Sequence, residues 1–132
     1  MRSFLVVLLL LPIACSQPVT KQSNLEKKAR CATIGRAFIK ELERKTGGMP
    51  TIVDPTYAYN SAADTCLCRY GLHFGIPSTG NSCIIIDTLT NATMAAYDTS
   101  VANNDRERRR YEAAVAAMSE DRKMPLPDPA FR

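Results

Sequence analysis

The sequence predicts a single α+β domain with an N-terminal amphipathic helix, an antiparallel meander of three or four strands, and a C-terminal helix with a Pro-rich tail. Two segments with apolar residues at helical spacing flank a central region where apolar and polar residues alternate. The length of 132 residues suits one compact domain. We divide the chain into a signal (1–14), a tether (15–22), the domain (23–123) and an extended tail (124–132).

Residues 23–46 are expected to form the first helix. Ser23 and Glu26 have the spacing of a capping box, in which each side chain bonds the other's backbone N–H. Gly47 and Gly48 follow, and glycine favours the left-handed conformation that ends helices. The residues that share the apolar face are Cys31, Ile34, Gly35, Phe38, Ile39 and Leu42.

Strands are expected next, separated by turn-rich segments. The predicted strands are residues 55–60, 65–74, 82–89 and 93–98. The second alternates, with Cys66, Cys68, Tyr70, Leu72 and Phe74 on one side. The third carries Ile84, Ile85 and Ile86 in a row, so both of its faces need cover. The first helix supplies one cover, and the second helix or another copy of the chain must supply the other.

The second helix is predicted from Asn104 to about Lys123. Asn104 and Glu107 resemble a capping-box start, and a narrow apolar stripe follows at Tyr111, Ala114, Val115 and Met118. Three prolines in the last nine residues prevent helix continuation and favour an extended tail.

The net charge is +4, and basic residues are interleaved with acidic ones, which argues against nucleic-acid binding. The densest basic cluster is Arg106, Arg108, Arg109 and Arg110 at the start of the second helix. It is either a solvated helix face or a contact with anionic lipid head groups or an acidic partner. The candidate contact surface comprises Arg106, Arg109, Arg110, Leu126 and Phe131.

The N-terminus has the order of a secretory signal. Arg2 precedes an apolar run from Phe4 to Leu11, and small residues follow at Ala14 and Ser16. The run is far shorter than the about 20 residues that span a bilayer.

The segment Leu11-Pro12-Ile13-Ala14-Cys15 resembles the lipobox of bacterial lipoprotein signals. Pro12 departs from the family's usual Leu. The resemblance implies that Cys15 becomes the lipidated first residue, anchoring the chain in a membrane. The residue after it is Ser16 rather than a retaining Asp, which implies an outer-membrane, periplasm-facing location. Cleavage after Ser16, giving a soluble periplasmic or secreted protein, is the alternative.

A second pattern joins a Tyr-Asn pair, a Thr-Cys pair on a strand, and an Asp-x-x-Thr-Asn segment. It is similar to small exported bacterial proteins of unknown function, and it implies a fold rather than an activity. The residues are Tyr59, Asn60, Thr65, Cys66, Asp87, Thr90 and Asn91.

With Cys15 assigned to the lipid, four cysteines remain, and export favours two disulfides. Cys66 and Cys68 lie too far apart on one strand face to pair with each other. We prefer Cys31–Cys66 and Cys68–Cys83. A tight hairpin would place Cys83 several residues from Cys68, so Cys83 unpaired or linking two chains remains open.

A metal or thiol-redox site at Cys66, Cys68 and His73 is the alternative chemistry. The C-x-C spacing matches neither the usual zinc knuckle nor the usual redox motif, and alternation places His73 on the opposite strand face. We therefore expect no metal, no cofactor and no catalytic residue.

These observations favour a small, non-enzymatic, lipid-anchored envelope module that binds an unidentified envelope protein. An inhibitor, an immunity or exclusion factor and an assembly factor all fit, and a homo-oligomer remains open. The alternative is a thiol-redox or metal-binding periplasmic protein.

Overall fold

The computed structural model describes residues 23–75, 80–101 and 104–126. The predicted signal and tether, with Cys15, and the tail residue Phe131 lie outside these ranges. The elements are α1 (Asn24–Thr46), β1 (Thr51–Asn60), β2 (Thr65–His73), β3 (Asn81–Asp87), β4 (Ala92–Asp98) and α2 (Asp105–Ser119). The order and type of these elements confirm the predicted α+β class.

Helix α1 begins and ends as its sequence predicts. The Glu26 N–H donates to Ser23 Oγ over 3.3 Å, and the Ser23 N–H donates to Glu26 Oε2 over 3.0 Å. At the other end, Gly47 adopts a left-handed conformation with φ 64°. Cys31, Gly35 and Ile39 are buried against the sheet, so one face of the helix is committed to packing.

The four strands form one antiparallel sheet in the order β1-β2-β3-β4. Strand β1 begins at Thr51, earlier than the predicted start at Pro55. A bulge between Val53 and Thr56 carries the chain past Pro55, and Asp54 takes a positive φ of 49° there. Proline fits this position because β1 is an edge strand, where one side of the backbone needs no sheet partner.

The sheet separates two apolar layers. On one face Cys68, Tyr70 and Ile86 pack with Ile39 of α1. On the other face Leu67, Ile85 and Ala95 pack with residues of α2, namely Ala114, Ala117 and Met118. Helix α2 therefore covers the second face of the isoleucine run, and no second copy of the chain is needed for that.

Helix α2 begins directly after Asn104, as predicted, but it lacks the predicted capping bond and ends earlier. Asn104 makes no side-chain capping bond, since its amide instead donates to the Asp98 carbonyl over 2.7 Å. The helix ends at Ser119 rather than near Lys123. Asp121 adopts a positive φ of 55°, which turns the chain back.

The chain after α2 is a strap, residues 122–126, without regular secondary structure. Met124 is buried in the layer beneath α2, so the core extends into the start of the predicted tail. Two residues later Leu126 is 82% exposed. The strap is thus anchored at its middle and presents an apolar side chain at its end.

Candidate functional site

A cleft of about 240 Å³ opens beside the N-terminal half of α1, at the end of the sheet where the β1–β2 and β3–β4 turns lie. The residues around it are Lys27, Arg30, Cys31, Ile34, Tyr59, Asp64, Cys66 and Leu89. Charged groups and apolar groups therefore line one opening.

Lys27, Tyr59 and Asp64 form a closed hydrogen-bonded cluster in this cleft. Lys27 Nζ donates to Tyr59 Oη over 2.9 Å and to Asp64 Oδ1 over 2.8 Å, and the Tyr59 hydroxyl donates to the same carboxylate. The bond to Asp64, followed by that to Tyr59, raises the pKa of Lys27, and the bonds from Lys27 and Tyr59 lower the pKa of Asp64. Each partner thus favours the charged form of the other. The cluster therefore presents an ammonium group and a carboxylate that are paired with each other, an arrangement that can bind or position a polar group.

The disulfide between Cys31 and Cys66 borders the same cleft. It joins α1 to β2 with a Cα–Cα distance of 5.2 Å, within the usual range for a bridge. The first of the two preferred pairings is therefore present. The backbone carbonyl of Cys66 also accepts bonds from the N–H and hydroxyl of Thr88, at 2.8 Å and 3.0 Å, which ties the β3–β4 turn to the bridged strand.

The second preferred pairing, Cys68–Cys83, is wrong. Both thiols are free. Cys68 lies opposite Ile86 on the α1 face of the sheet, whereas Cys83 lies opposite Gly71 on the other face. Sulfur atoms on opposite faces of one sheet cannot bond without rebuilding it.

The two free thiols differ in their surroundings. Burial raises the pKa of Cys68 to about 11. At neutral pH this thiol is therefore protonated and unreactive. Cys83 is half-buried near Tyr111, whose pKa rises to about 12 through burial and, to a smaller extent, the charge of Cys83.

The residues of the alternative redox or metal site do not come together. Cys66 is held in the disulfide, and Cys68 is a buried thiol. His73 is exposed at the other end of β2, where its Nδ1 lies 2.7 Å from Asn81 Oδ1. Within residues 23–75, 80–101 and 104–126, no three His, Cys, Asp or Glu side chains are placed to hold a metal ion.

The residues of the Tyr-Asn, Thr-Cys and Asp-x-x-Thr-Asn pattern all lie at the cleft end of the sheet. Buried Asn60 donates from Nδ2 to the Arg122 carbonyl over 2.8 Å, and its Oδ1 accepts from the Ala63 N–H over 2.9 Å. Asp87 Oδ1 accepts from the N–H groups of Leu89 and Thr90 in the β3–β4 turn, at 2.9 Å and 3.3 Å. These contacts hold turns in place and link β1 to the end of α2.

The predicted contact surface is partly assembled on one flank of α2. The Arg110 guanidinium donates to the Leu126 carbonyl over 2.9 Å. Arg106 and Arg109 are exposed and lie on this flank, because positions three and four residues apart are neighbours on a helix. The flank of α2 bearing these arginines, together with exposed Leu126, is called the α2 flank below.

Sequence reasoning missed the Lys27–Tyr59–Asp64 cluster. Lys27 lies one helical turn before Cys31, which was a usable signal that its side chain reaches the same end of the sheet as Cys66. Nothing in the sequence pattern indicated that the carboxylate of Asp64, which lies in the β1–β2 turn, would point toward Lys27.

The chain matches no protein-family model, and no curated protein or solved structure is significantly similar to it. Among the residues that the structure describes, no helix is both long and apolar enough to cross a bilayer.

Proposed function

We propose that this chain is an exported, lipid-anchored protein of the bacterial cell envelope that binds a protein partner. An inhibitor, an immunity or exclusion factor and an assembly factor are the roles that fit. The proposal assigns no catalytic step.

The observation that carries the proposal is the fixed position of Leu126 on the α2 flank. Its side chain is 82% exposed, while the strap is anchored by buried Met124 and by the bond from Arg110 to the Leu126 carbonyl. A backbone segment held in place before binding lowers the entropy cost of association. Arginine, which flanks Leu126 on this surface, is enriched in interfaces between proteins.

Export is supported by two features of different kinds. The N-terminal segment has the residue order of a secretory signal, and its residues 11–15 resemble a lipobox. The Cys31–Cys66 bridge is of a type that persists in oxidising compartments outside the cytoplasm.

The anchor is tested by labelling cells with a radioactive fatty acid. The wild-type chain should carry label and sediment with membranes, and Cys15→Ala should lose both properties. Label that persists in Cys15→Ala, or an unlabelled mature chain beginning after Ser16, would refute lipidation.

The contact surface is tested by affinity capture from envelope extract with the full exported chain. Leu126→Asp should lower recovery of a stoichiometric partner at least tenfold. Leu25→Asp is the matched control, since Leu25 is 78% exposed on α1 and should bind as wild type. Equal recovery by the two variants, or no stoichiometric partner for the wild type, would contradict the proposal.

A further inference from the structure

Helix α1 carries the whole net positive charge of the chain. It holds seven of the 17 Lys and Arg residues and three of the 13 Asp and Glu residues, so the other ten basic and ten acidic residues cancel. The positive charge is therefore concentrated on one element and is not spread over the surface.

Part of this charge, on Arg30, Arg36 and Lys40, faces away from the sheet. Cys31, Gly35 and Ile39 define the buried face, and at 100° per residue Lys40 lies nearly opposite them, with Arg36 beside it. The exposed positions between the cations are Ala29, Thr33 and Ala37. Because these side chains are short, the charged groups of Arg30, Arg36 and Lys40 project beyond them. The surface formed by these six residues is called the α1 outer face below.

Most of these cations are not neutralised. Three of the seven are paired, Lys27 with Asp64 near the start of the helix and both Arg44 and Lys45 with Glu41 near its end. Arg30, Arg36 and Lys40 make no ion pair with any residue that the structure describes, and Arg36 donates only to the Thr33 hydroxyl, over 3.4 Å. An anionic surface would therefore meet three unpaired cations.

The α1 outer face also lies near the anchor, if Cys15 is lipidated as proposed above. Ser23, the helix cap, lies eight positions after Cys15, and a fully extended chain of that length reaches at most about 29 Å. Helix α1 is itself about 35 Å long. The tether is thus short enough to keep the helix beside the head groups, and attraction to them acts over a Debye length of about 10 Å.

We propose that the α1 outer face binds the anionic phospholipid head groups of the membrane that holds the anchor, through Arg30, Arg36 and Lys40. Because α1 and α2 cover opposite faces of the sheet, this contact turns the α2 flank away from the membrane. The inference rests on the proposed anchor for its biological setting, and it assigns membrane and partner to opposite sides of the molecule.

The test uses the chain from Ser16 to Arg132, which lacks the lipid and keeps every residue of the described fold. Its sedimentation is measured with phosphatidylcholine vesicles that contain or lack phosphatidylglycerol. The wild type should bind only the anionic vesicles, and less at higher salt. Each basic residue near such a surface contributes about fivefold to partitioning. Arg36→Glu with Lys40→Glu should therefore weaken binding more than tenfold.

The matched control is Arg106→Glu with Arg109→Glu, which makes the same change of net charge on the opposite side of the sheet and should keep most of the binding. Arg36→Lys with Lys40→Arg retains the charge and should bind as wild type. Equal loss in the two reversed variants would show a general charge effect and overturn the proposal. Absence of wild-type binding, or equal binding to neutral vesicles, would also overturn it.

The vesicle assay contains neither lipid anchor nor partner, so its result is independent of the fatty-acid labelling and of the capture experiment. If the wild type ignores vesicles while reversal at Arg36 and Lys40 abolishes partner capture, the α1 outer face is a protein interface and the membrane proposal fails. Melting curves and the mass of the disulfide-bonded chain check that each variant is folded.

Discussion

Removing the Cys31–Cys66 bridge is expected to lower the free energy of unfolding by about 4 kcal/mol. The bridge joins residues 35 apart in the sequence. The chain-entropy relation for a closed loop of that length yields about 3.8 kcal/mol at 25 °C. Small domains have unfolding free energies of only about 5–15 kcal/mol, so the bridge supplies a large share of the total.

Urea denaturation of the chain from Ser16 to Arg132 measures this effect at neutral pH. The oxidised wild type is compared with Cys31→Ala/Cys66→Ala, each with and without a phosphine reductant. With a slope of about 1–3 kcal/mol per M urea, the midpoint should fall by more than about 1 M.

The reductant arm separates loss of the bridge from loss of sulfur packing. Reductant should destabilise the wild type by nearly the full amount and leave the double variant unchanged, because Cys68 and Cys83 are already free. A difference below about 1 kcal/mol between oxidised and reduced wild type would refute the entropic reasoning.

Four further predictions concern the core and its turns. Gly35→Ala should lower stability by about 1–3 kcal/mol, seen as a lower melting temperature, since an added Cβ would lie 2.1 Å from the Tyr57 ring. Native-state alkylation followed by mass spectrometry should modify Cys83 well before buried Cys68. Burial raises the pKa of Cys68 from 9.0 to about 11. The contribution of the Cys68 thiol to stability is therefore complete below pH 9 and is lost as the pH rises toward 11. Cys68→Ala should flatten that part of a pH–stability profile. Asn60→Ala should cost about 1–3 kcal/mol in urea denaturation, because the Arg122 carbonyl and the Ala63 N–H lose the hydrogen bonds that buried Asn60 makes to them.

The helices and the sheet order could be predicted because local signals agree with the global fold. Ser23 and Glu26 mark the start of α1, and Gly47 marks its end. The alternation from Cys66 onward predicted which side of β2 faces α1. The run Ile84–Ile86 indicated a strand with both faces buried, and β3 does lie between the layers formed with α1 and α2.

The face of Cys83 could not be predicted because it depends on the register between β2 and β3. In the observed register Cys83 lies opposite Gly71, on the side away from Cys68. A shift of one residue would place it opposite Tyr70 and on the same side as Cys68, since neighbouring positions on a strand point to opposite faces. The composition of the connecting loop does not determine where the ladder begins.

The cleft cluster depends on contacts between distant parts of the chain. Lys27 and Asp64 are 37 residues apart, and Asp64 reaches Lys27 from a turn in which its φ is 48°. Local patterns determine that a turn occurs there, whereas the direction of its side chains follows from packing of α1 on the sheet.

The position of α2 at the C-terminal end has a consequence for how the chain acquires its structure. Leu67, Ile85 and Ala95 belong to the strands, yet the residues that cover them come later in the chain, from Ala114 to Met124. During vectorial synthesis this side of the sheet stays open to water until residues 114–124 have also emerged. The tertiary structure cannot close before then, which leaves the nascent chain in a form that a translocation machinery or a chaperone can engage.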